Sequence, residues 1–186
     1  HNHARSGHFV ACASVWKRNV TLPAAQEHAP LAEPRDRIKA LAAAMFAVPT
    51  VAEKAGDLVR LDTAAMTQHY FAPIEAPDAK HVYIRVMHLP KGATLMGMEH
   101  RTTNYFILVS GTLLLVDPDT GAGSRLDGFT VVLTQPGTQR TGHALEDVTM
   151  LNVFAVASDD VATAEAAVAR VPVELLPEHM QPEQIT

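Results

Sequence analysis

Hydrophobic and polar residues alternate between Lys80 and Pro90, a stretch that suits a β-strand with two different faces. Val82, Ile84 and Val86 fall on one face, which is the period of two typical of strands. Similar short apolar runs continue to about residue 157, and Pro, Gly and Asp separate them. The runs number about eight and no helical pattern lies between them, so the sequence predicts an antiparallel sandwich or barrel.

A helical pattern precedes this β-rich region. Apolar residues recur at helical spacing over about residues 36–48, where Asp36 can cap the start and Pro49 stops the helix. The residues before it have no sustained period, and we interpret them as an arm or an irregular lead-in.

A second helix is predicted after the last apolar run, from Ser158 to Val171. Ser158 or Asp159 can serve as its N-cap, and Arg170 lies where a cation stabilises the last turn. We therefore predict three parts, which are an N-terminal arm with its helix over residues 1–65, a single β-barrel over 66–157, and a C-terminal helix with a tail over 158–186.

Composition narrows the classes of function. The chain has 186 residues, of which 47% are hydrophobic and 19% charged, so we expect one globular domain with extensions. The net charge of −5 and the lack of a basic stretch argue against a nucleic-acid partner. No apolar run approaches the roughly 20 residues of a membrane span, and the single cysteine, Cys12, excludes an internal disulfide. We expect a cytoplasmic protein that forms a homo-oligomer through the arm and edge strands.

Glycine, histidine and polar residues follow a regular spacing between Gly92 and Gly111. Five residues separate Gly92 from Met98, and His100 follows after one more. Asn104 comes after another three residues, and Gly111 after another six. Strand alternation puts Met98 and His100 on the same face, and Asn104 begins the next strand.

This spacing resembles the first motif of the cupin family, whose fold is a small jelly-roll barrel with a metal site inside. In that motif two histidines and a glutamate occupy the polar positions. Here Met98 stands at the first of these positions, His100 keeps the second, and Asn104 replaces the glutamate. The resemblance implies a mainly β fold with a single cupin-like barrel, and it implies that Met98 and His100 face the inside.

The stretch QPGTQRTGHALED resembles the second cupin motif, which pairs Pro-x-Gly with a later histidine. His143 follows Pro136 and Gly137 at a longer distance than usual, and Asp147 stands where the motif has Asn. A different alignment would put Arg140 at the position of the histidine. We prefer His143 because its spacing to Asp147 fits the motif.

The resemblance implies a metal site made by His100 and His143, for one divalent transition metal among Fe, Mn, Ni, Zn and Cu. Because Met98 and Asn104 are weaker donors for such ions, a degenerate site without metal is the other interpretation. His100 would then be a core histidine that is hydrogen-bonded to Asn104 or Thr102.

Arg140 is a candidate for binding a small polar or anionic ligand, together with Met98 and Asn104. Its guanidinium group can hold a carboxylate or phosphate through two hydrogen bonds. An ion pair with Glu146 or Asp147 is the competing interpretation.

The stretches LPKGATLMGMEHRT, QPGTQR and HALEDVTMLNV also resemble a group of small cupin-like proteins often encoded by bacteriophages and prophages. Our leading hypothesis is a binding or structural protein with a degenerate metal site, rather than a conventional metalloenzyme. The same resemblance suggests that a phage encodes it. One alternative is a metal-dependent dioxygenase or isomerase that acts on a small polar molecule. Another is a component of a virion capsid or tail.

Overall fold

The strands and helices largely follow the alternating runs of the sequence. The structure is a computed structural model, and it describes residues 13–16, 33–47, 58–61 and 63–172. The strands are β1 (Ala13–Trp16), β2 (Leu58–Leu61), β3 (Thr67–Ala76), β4 (Ala79–Leu89), β5 (Ala93–Met96), β6 (Glu99–His100), β7 (Asn104–Ser110), β8 (Thr112–Val116), β9 (Gly123–Asp127), β10 (Thr130–Thr134), β11 (Thr141–Ala144), β12 (Val148–Val156) and β13 (Ala169–Arg170). The helices are α1 (Pro34–Ala47), α2 (Thr63–Met66) and α3 (Val161–Val168).

Two antiparallel sheets contain most of these strands. Sheet I has the order β2-β1-β5-β11-β8-β9, and sheet II has the order β10-β7-β12-β4-β3. Most consecutive strands from β4 to β12 alternate between the two sheets, as they do in a jelly roll. The predicted fold class, a mainly β jelly roll with helices before and after it, is confirmed.

The core lies between the two sheets. Strand alternation sends every second side chain inward, so sheet II contributes residues such as Met87 and Leu108 while sheet I contributes Leu95 and Leu113. Leu108 and Leu113 are completely buried. The same alternation continues along the strands to the polar residues that form the candidate site.

Helix α1 packs on the outer face of sheet I. Its residues Ile38, Ala42 and Met45 are buried against Met96 of β5. The observed helix, Pro34–Ala47, agrees with the prediction of about 36–48 to within two residues.

Helix α3 is shorter than the sequence indicated. Asp160 is its N-cap and accepts a hydrogen bond from the Thr163 backbone N–H at 2.9 Å, so neither Ser158 nor Asp159 has this role. Ala169 is already extended and begins β13, which pairs with β6. Arg170 therefore bonds to Glu99 at 2.7 Å instead of completing the last helical turn.

Strands β1 and β2 lie within the segment that we interpreted as an arm. Strand β1 pairs with β2 on one side and with β5 on the other, so this segment extends sheet I. Strands of four residues are too short to show a clear period, which is why the pattern did not indicate them. Cys12 and most of the tail lie outside the described residues. Within the described ranges, no helix is long and apolar enough to cross a membrane.

The glycine that ends the first motif is required by the backbone. Gly111 has a φ of +87°, and a Cβ atom at this position would collide with the carbonyl oxygen of Asp147. The motif spacing therefore indicates a tight turn between β7 and β8, independent of any ligand.

Candidate functional site

A cavity of about 80 Å³ lies between the two sheets and is lined by residues of both. This volume exceeds what one water molecule needs, so the cavity has room for a larger group. Its polar wall includes Arg85, His100, Arg140 and Asn152, and its apolar wall consists mainly of Leu, Met and Phe side chains.

The polarity of the cavity changes along the strands. The inward-facing pairs of β4 and β12 are Leu89–Val148, then Met87–Met150, and then Arg85–Asn152. Strand β7 runs alongside, with Leu108 opposite Met150 and Phe106 opposite Asn152, and it becomes polar on this face one position further, at Asn104. One end of the cavity is therefore hydrocarbon and the other carries the charges and hydrogen-bonding groups.

Arg85 is held at the polar end by a buried carboxylate. Its Nη1 donates to Glu165 Oε2 at 2.7 Å, and the side chains of Arg85 and Glu165 are only 11% and 10% exposed. The Tyr83 hydroxyl donates to the other oxygen of Glu165. Burial, and then this bond, raise the pKa of Tyr83 well above its ordinary value, so the hydroxyl keeps its proton. The guanidinium carbon of Arg85 also lies 5.6 Å from the centre of the Phe154 ring.

A chain of hydrogen bonds connects Arg85 to His100. Arg85 Nη2 donates to Asn152 Oδ1 at 3.4 Å, and Asn152 Nδ2 donates to Asn104 Oδ1 at 3.0 Å. Asn104 Nδ2 lies 3.1 Å from Nδ1 of His100 and donates to the carbonyl oxygen of Thr102 at 3.3 Å. Asn104 is almost fully buried behind the cavity wall and orients His100 rather than lining the cavity itself.

His100 is a neutral imidazole in this environment. Burial, and then the charges of Arg85 and Arg140, lower its pKa from 6.5 to about 4. Its ring also stacks on Phe154, with 5.9 Å between the ring centres. The contact with Asn104 is the one expected of a core histidine.

Arg140 reaches the cavity from the loop between β10 and β11. The loop is fixed because the Gly97 N–H donates to the Arg140 carbonyl oxygen at 2.9 Å, and Gln139 Nε2 donates to the Gly97 oxygen at 3.0 Å. A Cβ atom at position 97 would lie 2.7 Å from the Arg140 oxygen, so only glycine permits this approach.

The expected ion pair of Arg140 with Glu146 or Asp147 is not formed. Its Nη1 donates instead to the Thr134 hydroxyl at 3.3 Å. The Glu146 carboxylate accepts from Thr112 at 2.9 Å, and the Asp147 carboxylate accepts from the Lys91 N–H at 2.8 Å. Within the described ranges, the Arg140 guanidinium faces the cavity without a carboxylate partner.

His143 lies on the opposite face of its strand from the cavity. Its neighbour Gly142 lines the cavity, so alternation turns the His143 side chain outward, where its Nδ1 lies 2.9 Å from the Thr94 hydroxyl. The structure thus brings Arg140, and not His143, to the cavity beside His100. This arrangement corresponds to the alternative alignment of the second motif, which puts Arg140 at the position of the histidine. The bend of the loop between β10 and β11 decides which side chain enters the cavity.

Met98 lines the cavity together with His100, as alternation predicted. Three functional residues escaped the sequence interpretation, namely Arg85, Asn152 and Glu165. Arg85 and Asn152 occupy inward positions between apolar residues of alternating strands, and a polar residue at such a position is a signal that could have identified them. Glu165 lies beside Ala164 on the buried face of α3, where no local pattern separates it from a solvated helix residue.

The donors at the polar end do not suit a divalent metal ion. His100 Nδ1 is occupied by Asn104, whose oxygen is occupied by Asn152, and among the described residues no carboxylate lines the cavity. Two guanidinium groups lie close by and would repel a dication. In the part of the chain that the structure describes, no group of three His, Cys, Asp or Glu residues is arranged to hold a metal.

No protein-family model and no curated protein matches the chain. Among solved structures, a cupin superfamily protein from Desulfitobacterium hafniense is 12% identical, with 48% of this chain and 78% of that chain covered and a TM-score of 0.37. A cupin-2 domain protein from Shewanella frigidimarina is 18% identical, with 50% and 86% covered and a TM-score of 0.36. The polyketide cyclase RemF from Streptomyces resistomycificus is 14% identical, with 61% and 74% covered and a TM-score of 0.42.

Proposed function

We propose that the barrel binds a small organic anion, with its charged group between Arg140 and His100 and its non-polar part at the apolar end. The observation that carries this proposal is the Arg140 guanidinium, which faces the cavity and has the Thr134 hydroxyl as its acceptor. A guanidinium group has five N–H donors, so Arg140 retains donors for a carboxylate.

The charge balance of the cavity supports an anion. Two cations line it, Arg85 and Arg140, and Glu165 neutralises the first of them from behind the wall. The same positive charges help to lower the pKa of His100, which means that this end of the cavity disfavours an added proton. The potential that disfavours a proton favours a negative charge at the same place.

The apolar end supports a ligand with a hydrocarbon part. Leu89, Leu95 and Leu113 line this end, and they offer no partner to a fully hydrated ion such as inorganic phosphate. A short aliphatic or aromatic carboxylate satisfies both ends, because its carboxylate meets the donors while its hydrocarbon is removed from water.

Isothermal titration calorimetry with benzoate and butanoate tests the proposal. We expect both to bind, and we expect the uncharged analogues benzamide and butanamide to bind at least about tenfold more weakly because they lack the charge that Arg140 recognises. The variant Arg140→Gln should lose about tenfold to a hundredfold in affinity for benzoate.

Arg125→Gln is the matched control, since Arg125 pairs with Asp127 on the surface and is 62% exposed. It should bind benzoate as the wild type does. Equal binding of benzoate and benzamide, or unchanged benzoate affinity in Arg140→Gln, would contradict the proposal.

This proposal develops the hypothesis of a cupin-fold binding protein without a resident metal. The metal-dependent enzyme remains the alternative, and metal analysis of untagged protein separates the two. Stoichiometric metal that is lost in His100→Ala would support the enzyme. Homo-oligomer formation, phage origin, a place in a virion and a cytoplasmic location stay predictions, of which the first is checked by the mass in solution.

A further inference from the structure

We propose that Asn104 fixes His100 as the tautomer with its proton on Nε2, so that His100 is a neutral hydrogen-bond donor to the bound anion. Asn104 is then a positioning residue and His100 a specificity-determining residue. The part that concerns the ligand rests on the proposed function, whereas the tautomer follows from the fold alone.

The orientation of the Asn104 amide follows from two groups that each have only one role in hydrogen bonding. The Thr102 carbonyl oxygen can only accept, and it lies 3.3 Å from Asn104 Nδ2. At the other end of the chain, Arg85 can only donate, so the Asn152 atom facing it is the oxygen. Asn152 consequently presents its amide nitrogen to the oxygen of Asn104.

Both groups lead to the same orientation, in which the amide nitrogen of Asn104 faces His100. Since this nitrogen donates, His100 Nδ1 at 3.1 Å must accept, and it carries no proton. A neutral imidazole has one proton, which therefore lies on Nε2. Among the described residues, none accepts a hydrogen bond from His100 Nε2. Nε2 is also absent from the buried polar atoms that lack a partner, so it is accessible from the cavity.

This tautomer defines the class of ligand more narrowly than charge alone. An Nε2–H group beside Arg140 requires an acceptor, and the second oxygen of a carboxylate is such an acceptor. An ammonium group or a metal ion at the same place would meet a proton instead of a lone pair. We therefore assign the polar end to carboxylates that accept from Arg140 and from His100 at the same time.

Nitrogen NMR of the imidazole rings tests the tautomer directly, because protonated and unprotonated ring nitrogens resonate far apart. The full chain labelled with ¹⁵N is measured at about pH 8. The ring signals of His100 are identified among those of the ten histidines because they are missing from the spectrum of His100→Phe. We expect a protonated Nε2 and an unprotonated Nδ1. A protonated Nδ1 in the wild type would overturn the inference, whatever the binding result.

The variant Asn104→Asp tests whether Asn104 is the cause. A carboxylate still accepts from Asn152 but cannot donate to His100, so the proton should move to Nδ1. Thr138→Asp is the control, because it adds the same charge to the cavity wall while the Asn104 amide remains. An unprotonated Nδ1 in Asn104→Asp, or a proton on Nδ1 in Thr138→Asp, would refute the role of Asn104.

Addition of benzoate to the wild type tests the contact with the ligand. The His100 Nε2–H signal should shift with benzoate and not with benzamide at the same concentration, and His100→Phe should bind benzoate about tenfold to a hundredfold more weakly. Binding of benzoate without a shift of this signal would refute the donor role. Absence of any carboxylate binding would contradict the proposed function, and the tautomer experiment would still decide the role of Asn104.

Discussion

The two ends of the barrel cavity are formed largely by the same strands. They differ in whether their side chains are held by packing or by hydrogen bonds to specific partners. At the apolar end, Leu113 lines the cavity and Leu108 packs in the same core cluster, and both are buried by neighbours that need only fill space. At the polar end, a continuous chain of hydrogen bonds runs from Tyr83 through Glu165 and Arg85 to His100. Strand alternation turns the strand residues of both sets inward, whereas Glu165 comes from α3, so the difference lies in the partners that each side chain requires.

This difference teaches how a barrel can change its ligand without changing its fold. The hydrocarbon end contributes to stability through packing, which tolerates exchanges between apolar side chains of similar volume. The polar end holds Arg85, whose charge is balanced by Glu165 of α3, and Arg140, for which the described residues supply a hydroxyl and no carboxylate.

The largest expected effect comes from breaking the buried ion pair at the polar end. Glu165→Gln keeps the volume but leaves the Arg85 guanidinium buried without a counter-charge, and we expect a loss of about 3–5 kcal/mol in the free energy of unfolding. Urea denaturation followed by circular dichroism measures it. Glu99→Gln is the matched control, because its partner Arg170 is 64% exposed, and it should cost about 0–1 kcal/mol. Equal losses of unfolding free energy in the two variants would contradict the expected difference between the buried and the exposed ion pair.

The apolar end should respond through packing. Leu108→Ala removes a fully buried side chain and leaves a cavity, so we expect a loss of about 2–5 kcal/mol in the same denaturation experiment. Val131→Ala on the outer face of the neighbouring strand is the control, since Val131 is 50% exposed and its loss should stay within about 0.5 kcal/mol. A tautomer shift at His100 in Leu108→Ala would show that the two ends are coupled.

A smaller effect should appear when the pH is lowered. Because the pKa of His100 falls from 6.5 to about 4 on folding, the unfolded chain binds a proton in this interval that the folded chain does not. Stability should therefore decrease as the pH falls from about 6.5 to about 4, by on the order of 2–3 kcal/mol.

Comparison with His100→Phe isolates this contribution, since the pKa of His69 is also lowered by burial and acts in the same direction. The free energy of unfolding of the wild type should decrease more than that of His100→Phe over the interval. Parallel curves for the two proteins would show that His100 is not buried as a neutral group.

Much of the fold could be predicted from the sequence. The alternation from Lys80 to Pro90 corresponds to β4, and the turn at Gly111 follows from a position that only glycine can occupy. Strands β1 and β2 could not be predicted, because four residues are too few to establish a period. The end of α3 was also missed, because Ala169 and Arg170 have good helix propensity and leave the helix only to pair with β6.

The candidate site was predictable only in part, and the reason differs from residue to residue. Met98 and His100 both line the cavity, as their spacing of two predicted, although Met98 lies between β5 and β6 and not in a strand. The choice between His143 and Arg140 depended on the bend of a loop, which the contact of Gly97 with the Arg140 carbonyl determines.

The sequence by itself determined which side chains of each strand share a face, since the period of two is a property of the local backbone. Only the tertiary structure decided that Glu165 of a distant helix would meet Arg85 and that Asn152 of β12 would bond to Asn104. Contacts between residues far apart in the chain depend on how the two sheets and α3 pack, and local patterns contain no information about that packing.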